Sequence, residues 1–158
     1  MIRRRREPVY RTSSGFVLNL DDDQRHLLRR LIGEVRELIT TGSSDDAKMR
    51  RLFPPAYTDD DALDSEYQRL MREELVASRL SSISVIDDFL AATDGRTMST
   101  AEVEAFASCL NAVRLILGTL LGVADDADEP DDPQSPDFAL YQYLSWLVDS
   151  AVNALMTR

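Results

Sequence analysis

The sequence predicts a mainly α-helical domain, a bundle of about five helices with a short N-terminal β-hairpin. Three observations carry this. Apolar residues recur at helical spacing over several long stretches. Capping residues stand where those stretches begin. Glycine and proline number only six each, too few for a turn-rich β-sandwich. Nothing alternates strand and helix as a parallel sheet would. At 158 residues, the chain suits one domain with a single core.

The elements follow in order. Residues 1–20 form a basic arm and a hairpin, in which Val9, Phe16, Val17 and Leu18 flank the turn cluster Thr12, Ser13, Ser14, Gly15. Pro8 keeps the first strand short or at an edge. Asp21 caps the first helix, Gln24 completes a capping box and Leu20 is placed as a staple. Leu27, Leu28, Leu31, Val35, Leu38 and Ile39 carry that helix to about Thr41, where Gly42, Ser43 and Ser44 end it. A short helical turn over residues 45–51 precedes the run Phe53, Pro54, Pro55, Ala56, Tyr57. Each proline pushes its predecessor out of the α region, and together they remove two backbone donors. The result is a rigid elbow at residues 53–57. Phe53 and Tyr57 are expected to be buried there, locking the first helical segment against the helix that starts at Asp60.

That next helix has one face of Leu63, Tyr67, Leu70 and Met71, with Glu66, Arg69, Arg72 and Glu73 on a charged one. It is long for a single straight helix, and the serines at 78, 81, 82 and 84 mark the expected bend. Ser99 and Glu102 form a second capping box, before an apolar face of Phe106, Leu110, Val113, Leu117 and Leu121 that Gly122 terminates. Residues 123–135 are an acidic loop, with six carboxylates between Asp125 and Asp132. Ser135 then caps a last helix over residues 136–156, with Pro136 at its first position.

Charge and composition narrow the function. The net charge is −10, yet residues 1–11 set five arginines against Glu7, so the remainder carries −14. Such a body repels phosphate backbones, leaving Arg3, Arg4, Arg5 and Arg6 as the exception, an arm suited to an acidic partner such as DNA. No uninterrupted apolar run approaches the roughly 20 residues of a membrane span, and no apolar signal core follows the arm. A single cysteine excludes an intrachain disulfide, and a cytoplasmic location is expected.

The residues that stand out have modest readings. Arg114 lies on an apolar helical face, and a partly buried salt bridge to Glu66, Glu73 or Glu74 is expected. Cys109 reads as a small core residue; the sharper alternative is a redox-active thiol, with Arg114 the nearest cation downstream. His26 is read as exposed, and Asp59, Asp60 and Asp61 as helix-start carboxylates. A divalent-ion site there is the alternative, although the spacing is not that of an EF-hand. Tyr141, Tyr143, Trp146 and Leu147 crowd more of the last helix than one buried face needs, which suggests a homodimer. No phosphate loop, dinucleotide fingerprint, hydrolase elbow or zinc-ligand pair is present, so neither enzyme activity nor a cofactor is expected.

Arg51 to Tyr57 with Asp59 and Asp60, then Glu66, Arg69 and Leu70, resemble the central signature of an actinobacterial family described as a domain of unknown function. Leu110 to Gly118, with Leu121 and Gly122, resemble its second signature, and the similarity covers nearly the whole chain. The family includes an actinobacterial oxidation-sensing transcription regulator. The resemblance implies a cytoplasmic regulator that works with a sigma factor of RNA polymerase. Family genes lie near the ClpS adaptor and sulfur-metabolism genes, which supports an alternative role as a helper in Clp-dependent proteolysis. A small-molecule or metal sensor is the third reading. The family's sensing rests on a cysteine pair, and Cys109 alone does not carry it over.

Overall fold

The computed structural model describes residues 7–42, 46–123 and 129–157. Two antiparallel strands, β1 (Val9–Thr12) and β2 (Gly15–Leu18), precede five helices: α1 (Asp22–Thr41), α2 (Ala47–Leu52), α3 (Asp61–Ala91), α4 (Thr100–Leu121) and α5 (Pro136–Met156). The fold is mainly helical with an N-terminal hairpin, as the sequence predicts.

The hairpin pairs Val9 with Leu18 and Thr12 with Gly15 across a two-residue turn. Gly15 has φ 133°, and a Cβ there would stand 2.8 Å from the Met98 carbonyl oxygen, so only glycine fits. The hairpin is tied down on both edges. Phe16 exchanges backbone hydrogen bonds of 2.9 and 2.7 Å with Met98, which lies between α3 and α4. On the other edge, the Val9 N–H donates to Ser150 Oγ of α5 at 3.2 Å. The Ser150 hydroxyl lies 3.3 Å from the Val9 carbonyl oxygen. Ser150 is the one buried polar residue among the described residues, and these backbone partners account for its burial.

Both capping boxes form, Asp21 with Gln24 and Ser99 with Glu102. Ser135 caps α5 ahead of Pro136. Gly122 closes α4 in the left-handed conformation at φ 72°, where its missing Cβ removes the steric cost. The acidic loop falls partly outside the described residues, at 124–128.

The core is built around α4. Val103, Phe106 and Leu110 have no exposed surface, nor do Leu144, Leu147 and Ala151 of α5 or Leu28 of α1. By length and composition α4 is apolar enough to cross a membrane, which the expectation of no such stretch missed. Its buried residues instead pack on α1, α3, α5 and the hairpin. The serines of α3 do not interrupt it: the helix is continuous over 31 residues. Each serine costs only a few tenths of a kcal/mol in helix propensity, about 0.5 kcal/mol, too little to break a helix anchored at its far end by Ile83, Ile86, Phe89 and Leu90.

Candidate functional site

The proline elbow joins α2 to α3, and both helices are built to hold it. Asp46 caps α2 by accepting from the Lys48 N–H at 2.8 Å. Met49 and Leu52 anchor that short helix in the core. Phe53 closes α2 at φ −128°, ψ 73°, outside the α region that the following Pro54 disfavours. Its ring is buried, and the Arg72 guanidinium of α3 stacks 4.6 Å from the ring centroid.

Beyond Phe53, α3 supplies the partners that the elbow's backbone lacks. Gln68 Nε2 donates to the Pro54 carbonyl at 3.3 Å. One carboxylate oxygen of Asp64 accepts from the N–H groups of both Ala56 and Tyr57, at 2.7 and 3.2 Å. Asp64, Gln68 and Arg72 stand four residues apart, so they share one side of α3 and face the elbow together. The loop is therefore fixed by three side chains of one helical stripe. A cleft of about 830 Å³ opens beside it, between the end of α1, the elbow and this stripe.

Tyr57 departs from expectation. It is 45% exposed, with its ring edge-on to Tyr67 at 6.3 Å rather than inside the core. Only Phe53 enters the core, because the turn that aims Phe53 inward carries Pro54, Pro55, Ala56 and Tyr57 out along the surface. The elbow thus has an anchored base and an exposed rim.

Arg114 also differs. It does not meet the α3 carboxylates, because its helix face turns toward α5. Its guanidinium donates to Asn111 Oδ1 at 2.9 and 3.2 Å and to Ser145 Oγ at 3.5 Å. The same group lies 5.9 Å from the Tyr141 ring centroid. Glu66 is occupied elsewhere, in an exposed 2.7 Å bridge to Arg69 one turn along α3. Glu73 and Glu74 are exposed on the outside of that helix.

Cys109 is buried, as a core residue should be. Burial pushes its thiol up to about 11, with the Arg79 guanidinium opposing the shift. The neighbouring cation is therefore Arg79 from α3, held by the Ser108 carbonyl and hydroxyl at 3.3 and 2.9 Å, not Arg114. The thiolate needed for oxidation is strongly disfavoured at neutral pH.

The remaining candidates are simpler. His26 is exposed on α1. Asp60 caps α3 by accepting from the Leu63 N–H at 3.0 Å, and Asp61 occupies the first turn. Among the described residues, no three His, Cys, Asp or Glu side chains converge to hold a metal ion. Tyr141 and Leu147 are consumed by the chain's own core, and of the four α5 residues expected at a dimer face only Trp146 is exposed. Arg3, Arg4, Arg5 and Arg6 lie outside the described residues.

Several important side chains escaped sequence reasoning. Asp64, Gln68 and Arg72 look like ordinary surface residues of α3, and their four-residue spacing was the only signal. Ser150 looks like a helix serine. Arg25, which donates to the carbonyls of Phe89 and Leu18 at 3.4 and 3.5 Å, gives no sign that it ties α3 to the hairpin.

Fold and site together define a helical domain whose most constrained surface feature is a braced loop. The chain belongs to the family described as a domain of unknown function (DUF2017), whose pattern matches residues 3–155. It is also similar to "Putative oxidative stress regulator AosR" of Mycobacterium leprae (strain TN), at 31% identity over 129 residues. That match covers 71% of this chain and 59% of the relative, so the chain spans about three fifths of the protein it resembles. No solved structure matches the chain.

Proposed function

We propose that this chain is a non-enzymatic regulatory protein that acts through protein contacts in the cytoplasm, working on transcription with a sigma factor of RNA polymerase. The similarity to a relative named as an oxidative stress regulator carries the reading. The site is consistent with it. Exposed Pro54, Pro55 and Tyr57 ride on a backbone fixed from behind, and a surface held rigid before binding loses little conformational entropy on contact. With one buried cysteine, oxidant does not act here through an intrachain disulfide.

Affinity purification of the tagged chain from its host, with and without peroxide, tests this. Recovery of a sigma factor or polymerase subunits is expected, and Cys109→Ala should recover the same proteins. Recovery of ClpS or a Clp ATPase instead would move the protein to proteolysis. Recovery of neither would sink the transcription reading.

A further inference from the structure

Among the described residues, α3 carries a long exposed outer face along its first part. Its first buried residue is Ile83, so 22 positions from Asp61 to Ser82, about 33 Å of helix, contribute no fully buried side chain. Asp64, Gln68 and Arg72 turn inward to the elbow. Leu63 and Leu70, two turns apart, lie on the opposite side and are 50% and 62% exposed. Lone exposed leucines need no explanation, but two in register on an uncovered helix do. Exposed Glu66, Glu73 and Glu74 border them, and Arg69 is the single exposed cation of that stretch, bridged to Glu66.

We propose that this face docks a basic amphipathic helix of a partner protein, one that presents apolar side chains to Leu63 and Leu70 and Lys or Arg to Glu73 and Glu74. Charge selects this occupant. A second copy would set glutamates against glutamates along the same stripe, and like charges across an interface are repulsive. The inference deepens the proposed regulatory role and rests on that reading.

The probe is a synthetic helix-forming peptide with leucines seven residues apart, flanked by lysines, and dye-labelled for fluorescence anisotropy. Binding to the whole chain is expected, weakening as salt rises. Leu63→Ser with Leu70→Ser should cost at least about tenfold in Kd, in line with loss of central apolar anchors. Glu73→Lys with Glu74→Lys should cost about as much, whereas Glu104→Lys, an exposed charge change on α4, should cost far less. Circular dichroism verifies that each variant is folded. No peptide binding, equal binding by the leucine variant, or equal binding of a peptide with glutamates for lysines would overturn the proposal. So would a dimer in sedimentation that the leucine variant dissolves. If the leucine variant still recovers sigma factor or polymerase from the host, the docking face is wrong while the regulatory reading stands.

Discussion

The two ends of this molecule use similar apolar patterns for opposite purposes. In α4 and α5 apolar side chains enter the core along most of the helix, and Phe106, Leu110, Leu144 and Leu147 have no exposed surface. In the first two turns and more of α3, Leu63 and Leu70 at equally regular spacing stay largely in solvent, while Leu75 and Leu80 further along are half-buried against the core. Its inward stripe of Asp64, Gln68 and Arg72 is polar. Helical periodicity marks a face as distinct from its opposite. It does not say whether anything covers that face. The α4–α5 region stabilises the fold, while the elbow and α3 shape a surface.

The sharpest way to break this contrast is truncation of the core. Leu110→Ala should cost about 2–5 kcal/mol, combining lost transfer energy with a cavity that the surrounding helices cannot close. For a domain of this size that lowers Tm by roughly 2–4 °C per kcal/mol, measured by calorimetry. A loss under 1 kcal/mol would mean that α4 is not the packing centre. Phe53→Ala comes next, at about 3 kcal/mol, since it removes a buried ring and leaves Arg72 without its stacking surface. Much of that loss should appear as local opening of the elbow, seen as faster amide exchange around α2.

Cys109 reports on the core through pH. Its thiol stands at about 11 in the fold against an ordinary 9.0, so the unfolded chain releases the proton first as pH rises. The stabilisation is full below pH 9 and is lost progressively toward pH 11, by roughly 1–2 kcal/mol near pH 10. Cys109→Ala should flatten that alkaline decline in urea titrations. An unchanged slope would mean that the thiol is less buried than its position in α4 indicates. Asp64→Ala tests the other region at a similar or smaller size. Removing the acceptor of two backbone N–H groups should cost about 1 kcal/mol, with exchange at Ala56 and Tyr57 accelerated and α4 unaffected.

How much of this was legible depended on distance along the chain. Asp21 with Gln24, Ser99 with Glu102, and Gly122 were readable because a cap is settled within a few residues. The rigidity of the elbow was readable because proline restricts its neighbour directly. The direction of Tyr57 was not, since a fixed backbone still has an inside and an outside that only α3 defines. Arg114 failed for the same reason. Its place on an apolar face showed that it points inward, but α5 rather than α3 lies there, and helix order in space is not a local property. The Asp64 brace spans eight residues across a loop, and nothing about an aspartate in the first turn of a helix distinguishes it from its neighbours.

The smallest effect is the most discriminating. Leu63→Ser and Leu70→Ser sit at helix positions as regular as Leu110, and a reading from pattern alone would assign them comparable weight. Their exposure of 50% and 62% assigns them almost none, because little apolar surface returns to water and no cavity forms. Each should change stability by no more than about 0.5 kcal/mol, the ordinary range for surface substitutions. Denaturant midpoints measured beside Leu110→Ala would settle it. Losses of 2 kcal/mol or more would place α3's outer face inside a packed interface already, and the division between a core that holds and a surface that waits for a partner would fail.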